Sequence, residues 1–132
     1  MNRFTRTIAA AALATAAATA PAAAGGSVSF TYVPSDPQEA QQLQTGLALY
    51  GLFKGLQDGS ITQNGNGNMA GLAQLGQGNL GVIHQEGNGH NATLDQQGNG
   101  NAYGIFQFGE NTDAHVGQYG NGQAGITVQA GW

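Results

Sequence analysis

The sequence predicts an all-β repeat fold: a β-solenoid of cross-β type, with two seven-residue strands per 22-residue coil, preceded by one amphipathic helix. A glutamine recurs every eleven residues, at Gln63, Gln74, Gln85, Gln96, Gln107, Gln118 and Gln129. A glycine stands two places after each one, at Gly65, Gly76, Gly87, Gly98, Gly109, Gly120 and Gly131. Several columns between them change character on a period of 22 rather than 11. A short fixed period marks a chain that coils and stacks on itself. It points to a self-assembling structural protein rather than an enzyme.

A chain of 132 residues holds one domain at most. It divides into residues 1–24, 25–59 and 60–132. Charged residues make up 8%, against roughly 25% in soluble domains. Glycine is abundant, at 23 residues, but there are three prolines and no Gly-X-Y period, which excludes collagen. With no cysteine, neither a disulfide framework nor a thiolate metal site can be built.

Residues 1–24 read as a secretory signal peptide. Arg3 and Arg6 supply the positive start, Ile8 to Thr19 is Ala-rich and mildly apolar, and Ala22-Ala23-Ala24 fits the small-residue cleavage rule. The stretch is too short and too weakly apolar for the roughly 20 residues of a membrane span. Cleavage leaves Lys54 alone against seven acids, a charge of about −6. An acidic chain without a basic patch is a poor partner for nucleic acid or an anionic membrane.

After the signal, Ser27 to Val33 (SVSFTYV) alternates apolar residues among β-formers and is expected to form one strand, ended by Pro34. A helix is expected over 36–57. Asp36 is its N-cap, Pro37 its first residue and Glu39 the closing partner of a capping box. Leu43, Leu47, Tyr50 and Lys54 form one stripe, which Leu49, Leu52, Phe53 and Leu56 widen. So broad an apolar surface needs a partner. Asp58-Gly59 is the stop signal, so the helix should end near Gln57.

Cut at its turns, the repeat gives strands 60–64, 69–75, 80–86, 91–97, 102–108, 113–119 and 124–130. Four-residue turns such as GNGN, GQGN and GENT connect them, rich in residues that tolerate positive φ. An antiparallel meander is the competing arrangement; the 22-residue alternation favours the coil. Two residues before each glutamine stand Ile61, Leu72, Ile83, Leu94, Ile105, Val116 and Thr127. Four before stand Ala70, Gly81, Ala92, Tyr103, Ala114 and Gly125, so that Tyr103 would lie between two glycines.

Alternation points these two columns and the glutamines inward. Ile61, Leu72, Ile83, Leu94, Ile105 and Val116 are the expected core. A buried amide must be hydrogen-bonded, and a column of identical amides about 4.8 Å apart does this by each donating to the next. Asn68, Asn79 and Asn101 could form similar ladders at the turns. One outer wall carries Asn91, Thr93, Asp95, Gln97, Asp113 and His115 and is solvated; the other carries Leu80, Val82, Ala102, Phe106, Phe108, Ala124, Ile126 and Val128. The apolar wall marks a contact surface, for the helix or for neighbouring filaments.

The repeat resembles curlin, the subunit of curli amyloid fibres, whose pattern reads Gln-x-Gly-x-x-Asn-x-Ala-x-x-x-Gln. Residues 63–74 match it throughout, with Gln63, Gly65, Asn68, Ala70 and Gln74. Later copies keep the Gln and Gly and vary the rest: Gly81, Tyr103 and Gly125 replace Ala, while His90, Thr112 and Gln123 replace Asn. The likeness covers roughly 70 of the 132 residues. It implies export, passage of the unfolded chain through an outer-membrane secretion channel, a related subunit or nucleator as partner, and growth into extracellular fibres of a biofilm matrix. Residues 25–59 depart from that family, replacing an expected Gly/Asn-rich secretion segment with a helix.

Catalytic or metal chemistry finds little support. His84 and His115 are expected on opposite walls and His90 in a turn, all at the surface. Among the acids Glu86, Asp95, Glu110 and Asp113, only Asp95 and Asp113 are expected near each other. No serine has a nucleophile-elbow context, and no lysine or helix follows the GNGN turns as a phosphate loop requires. No cofactor is expected. The expectation is a secreted subunit that polymerises by strand addition at open edges on both ends, marginal or disordered until it adds. The alternative is a monomeric solenoid adhesin or polysaccharide binder using Phe106, Phe108 and Tyr119; ice binding would want a Thr ladder, which the polar wall lacks.

Overall fold

The computed structural model describes residues 25–54 and 59–132. The expected signal peptide at 1–24 and the helix end at Gln57 lie outside the described residues, as do the side chains of Leu52, Phe53, Lys54 and Leu56. The fold is mostly β: a β-solenoid of about three turns with one helix. In chain order it runs β1 (Ser27–Tyr32), α1 (Pro37–Lys54), β2 (Gly59–Asn64), β3 (Met69–Leu75), β4 (Leu80–Asn88), β5 (Asn91–Gln97), β6 (Ala102–Glu110), β7 (Asp113–Tyr119) and β8 (Ala124–Gly131).

The repeat strands form two parallel walls rather than a meander. One has the order β1-β8-β6-β4-β2, the other β3-β5-β7. Every parallel pair joins residues 22 apart: Ile61 with Ile83 and Ile105 with Thr127 in the first wall, Leu72 with Leu94 and Leu94 with Val116 in the second. The register is set by which side chains face inward and by the turns. A slip of one residue would turn the buried column outward, and glycines in the turns hold the count between strands. Hydrogen bonding continues through the turns, as from Met69 N to His90 O at 2.7 Å and Gly98 N to Leu75 O at 3.0 Å.

The turn glycines carry the repeat's geometry. Gly65, Gly76, Gly87, Gly98, Gly109 and Gly120 have φ between 83° and 139°. A Cβ on Gly98 would also overlap the carbonyl oxygen of Gly120 in the next level. Only glycine satisfies both demands. A second glycine two places on, as at Gly67 and Gly100, has φ near 70°, and Asn111 takes the equivalent place with φ 53°.

The core lies between the walls and is built from Ile83, Ala92, Leu94, Tyr103, Ile105 and Ala114, with Ala70, Leu72 and Val116 packed against it. Ile61, on the first level, is 41% exposed. Tyr103 was expected between two glycines. Its ring fills the space over Gly125, whereas the space over Gly81 is taken from the opposite wall by Leu72 and Leu94, at 2.6 Å and 3.0 Å from where a Cβ would stand.

Among the described residues the pairing of β1 with β8 is the one antiparallel pairing. It runs from Ser27–Gly131 to Tyr32–Ile126. At the C-terminal end β1 therefore covers the edge of β8, which was expected to be open, whereas the edge of β7 stays open. The arm is anchored beyond the strand by Gly26 N donating to Trp132 O at 2.7 Å and Trp132 N donating to Gly26 O at 2.8 Å.

α1 begins as its sequence dictates. Asp36 Oδ1 accepts from Gln38 N at 2.9 Å, and Ala40 N reaches Asp36 O at 3.0 Å. Glu39 accepts from the Tyr32 hydroxyl at 2.8 Å, tying the helix start to β1. Residues 39, 40, 43, 44, 47 and 50 are the more buried positions of the helix up to Tyr50, whereas Leu49 is 50% exposed. The helix rests on the outer face of β4, β6 and β8, the wall whose apolar residues called for a partner. Leu47 is buried over Gly104, and Tyr50 meets Phe106 edge to face at 5.6 Å.

Candidate functional site

Inward pointing places Gln85, Gln96, Gln107 and Gln118 in the core, each no more than 5% exposed. They form two ladders, one per wall. Gln63 Nε2 donates to Gln85 Oε1, Gln85 to Gln107 and Gln107 to Gln129, each at 2.8 Å. In the other wall Gln74 donates to Gln96 and Gln96 to Gln118, also at 2.8 Å. The ladders are polar: every amide donates toward the C-terminal end.

The second amide hydrogen crosses the coil. Gln85 donates to Met69 O at 2.8 Å, Gln96 to Leu80 O at 3.0 Å, Gln107 to Asn91 O at 2.9 Å and Gln118 to Ala102 O at 3.2 Å. Each glutamine thus links two levels of its own wall and also ties that wall to the start of a strand in the other. Among the described residues every buried side-chain nitrogen and oxygen is hydrogen-bonded. Such an amide could not be replaced without orphaning partners, which costs about 1–3 kcal/mol for each buried group left unpaired.

Asn68, Asn79 and Asn101 also bridge levels, but through backbone rather than amide to amide. Asn79 Nδ2 donates to Gly98 O at 3.0 Å while its Oδ1 accepts from Asn101 N at 3.1 Å; Asn101 repeats this with Gly120 O at 2.9 Å and Gln123 N at 3.0 Å. Asn68 does the same with Gly87 O and His90 N. An amide fits because it donates and accepts at once.

His90 occupies the next place above Asn68 and is 1% exposed, so its expected surface position is corrected. Its Nδ1 shares a hydrogen bond with Thr112 Oγ1 at 2.8 Å and its Nε2 lies 3.2 Å from Glu86 O. Asn, His and Thr therefore form one structural column. His84, 3.6 Å from Glu86, lies beside the rings of Phe106 and Phe108 on the first wall, while His115 meets Thr93 at 2.7 Å on the second. Asp95 and Asp113 do not meet: the register sets Asp95 beside Gly117 and Asp113 beside Asn91, four positions apart. Asp95 instead accepts from the Tyr119 hydroxyl at 3.2 Å, which raises the Tyr119 pKa. Among the described residues no group of three His, Cys, Asp or Glu gathers as a metal site.

A second asparagine column was missed. Asn88, Asn99 and Asn121 accept through Oδ1 from the backbone N of Asn66, Gln77 and Asn99, at 2.9–3.0 Å. Its signal was an Asn three places after Gln63, Gln85, Gln96 and Gln118.

Among the described residues, no strand pairs with the outer edges of β2, β3 and β7. No family model, no curated protein and no solved structure matches this chain.

Proposed function

We propose that this protein is a secreted structural subunit that polymerises into extracellular curli-like amyloid fibres, serving a biofilm matrix and surface adhesion. The repeat is taken as a coil of two seven-residue strands per 22 residues. The observation that carries the reading is the pair of polar amide ladders running through both walls, from the exposed edges of β2 and β3 to the exposed edge of β7 and to β8, which β1 covers. A ladder whose every level offers the same donor and acceptor to the next is a template for another copy. The residues engaged are structural, and the chain is not an enzyme. Its partners are itself, a related fibre subunit or nucleator, and an outer-membrane secretion channel entered after export by the signal peptide.

α1 serves as an amphipathic cover. Its Leu43, Leu47 and Tyr50 side lies on the apolar wall and keeps that wall from pairing sideways with neighbouring filaments. A second reading, a monomeric solenoid that binds a surface or a polysaccharide, draws on the covering of β8 by β1.

Residues 25–132, released from denaturant and followed by thioflavin fluorescence and electron microscopy, decide between them. A lag followed by fibres with cross-β spacing is expected. A stable monomer with β circular dichroism at high concentration would overturn the polymer reading in favour of the binding module.

A further inference from the structure

We propose that the C-terminal end of the coil, over β7 and β8, binds the β2–β3 end of a second copy turned by half a turn about the coil axis. The N-terminal arm occupies this place in the free chain. The inference rests on the self-assembly reading and adds the geometry of the junction.

The strand count demands the half turn. Among the described residues one wall holds four repeat strands, β2, β4, β6 and β8, and the other holds three, β3, β5 and β7. Copies stacked in the same orientation would join β8 to β2 but leave β7 and β3 about 9.6 Å apart, two strand spacings. Both edges would then face an empty strand's width with unpaired backbone groups. A half turn sets the four-strand wall on the three-strand wall. Each column then runs through seven strands for every two copies, without a gap.

The register of the existing levels continues across such a junction. Extending the 22-residue offset puts the second copy's Gln63 on Gln118, its Ile61 on Val116 and its Gly59 on Ala114. In the other column it puts the second copy's Gln74 on Gln129 and its Leu72 on Thr127. Polarity agrees as well: ladder amides donate toward the C-terminal end, so Gln118 and Gln129 would donate to the incoming Gln63 and Gln74. Helices fit too. Successive copies carry α1 on opposite sides, and those on one side recur about every 34 Å, seven strand spacings, against a helix width of about 10 Å.

In the free chain the arm stands in the way. β1 holds the place on β8 that the incoming β3 would take, in antiparallel sense, and Ser29 Oγ lies 3.3 Å from Gln129 Nε2. Beside it, a groove of about 570 Å³ runs along β7, between Val33–Pro37 of the arm and Val116, Gly117 and Gln118. β2 of the second copy would enter this groove first, on an edge already free, and β3 would then replace β1.

The chain has no cysteine, so single cysteines report the junction in fibres of the full chain. The half turn pairs Ser60 of one copy with His115 of the next; the same-orientation stack pairs it with Ile126. Equal mixtures of Ser60→Cys and His115→Cys chains should give disulfide dimers on oxidation, and Ser60→Cys with Ile126→Cys should not. Electron cryomicroscopy of the unmodified fibre should show a two-fold screw with a rise of about 17 Å per copy, three and a half strand spacings. A Ser60–Ile126 link, or a rise of about 19 Å without the screw, overturns the half turn and leaves polymerisation standing. A full chain that never forms fibres overturns both. Phe30→Pro with Thr31→Pro removes the Phe30 donor, which alternation from the Gly26–Trp132 pair aims at β8, and the Thr31–Thr127 hydrogen bond, and so weakens the arm. The lag should shorten by at least ~3-fold; an unchanged or longer lag overturns the role of the arm.

Discussion

The hydroxyl of Tyr103 lies 2.7 Å from that of Thr127, buried between the walls one level apart. Each residue alone breaks its column. Tyr103 stands among Ala and Gly, and Thr127 ends a run of Ile. Together they are consistent: the ring needs the space that Gly125 leaves, and the phenol needs a buried partner, which a fourth isoleucine in that column would not supply. Thr127 also shares a 3.0 Å hydrogen bond with Thr31 of β1, so the pair connects the core to the arm.

Removing the phenol tests this link. Tyr103→Phe should cost about 0.5–1.5 kcal/mol, the worth of one hydrogen bond between neutral groups, measured by urea unfolding. It should also change the pH profile. Burial raises the Tyr103 pKa, more than its bond to Thr127 lowers it. A raised pKa means that the folded state holds its proton where the unfolded chain has lost it. The stabilisation is therefore complete below the ordinary tyrosine value of about 10 and is lost as pH climbs through the folded value. The native chain should weaken above pH ~10 and Tyr103→Phe should weaken less; parallel profiles would remove Tyr103 as the cause.

The ladder predicts a kinetic effect. Gln85→Ala and Gln107→Ala each strand neighbouring amides, since Gln85 donates to Gln107 and Gln107 to Gln129. Each should cost about 2–4 kcal/mol, because more than one buried group loses its partner. The double variant should cost less than the sum, because the two share a bond. Fibre growth should slow in all three. Unchanged thioflavin kinetics in the double variant would sink the ladder as the carrier of assembly.

Turn glycines separate two demands. Gly98 has φ 119° and no room for a Cβ under Gly120 O; Gly122 has φ 66° and open space around it. Gly122→Ala should cost about 1–2 kcal/mol, the price of a left-handed backbone with a Cβ. Gly98→Ala should cost clearly more, since backbone must shift as well. Equal losses in chemical denaturation would show that φ alone matters.

Periodicity made much of this structure legible. An inward side chain every second residue and a glycine at every corner leave few ways to wind Gln63 to Gln129, and the strand limits follow within two residues. The arm was not legible, because a six-residue strand such as Ser27–Tyr32 carries alternation but no mark of its partner. Antiparallel pairing on β8 repeats nothing else in the chain. His90 was misplaced for a related reason. Its column reads Asn68, His90, Thr112, three residue types joined by their capacity to bond a neighbouring level rather than by likeness. The Asp95–Asp113 pairing failed because proximity was judged by wall alone, without the register along it.

The helix provides the sharpest test of how the fold divides. Leu47 is 4% exposed and its Cδ2 stands 2.9 Å from where a Cβ on Gly104 would be, so the leucine needs the bare glycine backbone beneath it. Leu47→Ala removes this contact and should cost about 2–5 kcal/mol of docking. Gly104→Ala should act from the other side, pushing Leu47 and the Phe106 ring apart. Neither change touches an amide ladder. Hydrogen exchange should therefore show α1 losing protection in both variants while the amides of β4 and β6 keep theirs, with fibre growth preserved. Equal loss of protection in helix and strands would mean that α1 and the coil unfold as one unit. The helix would then be part of the core rather than a cover on its apolar wall.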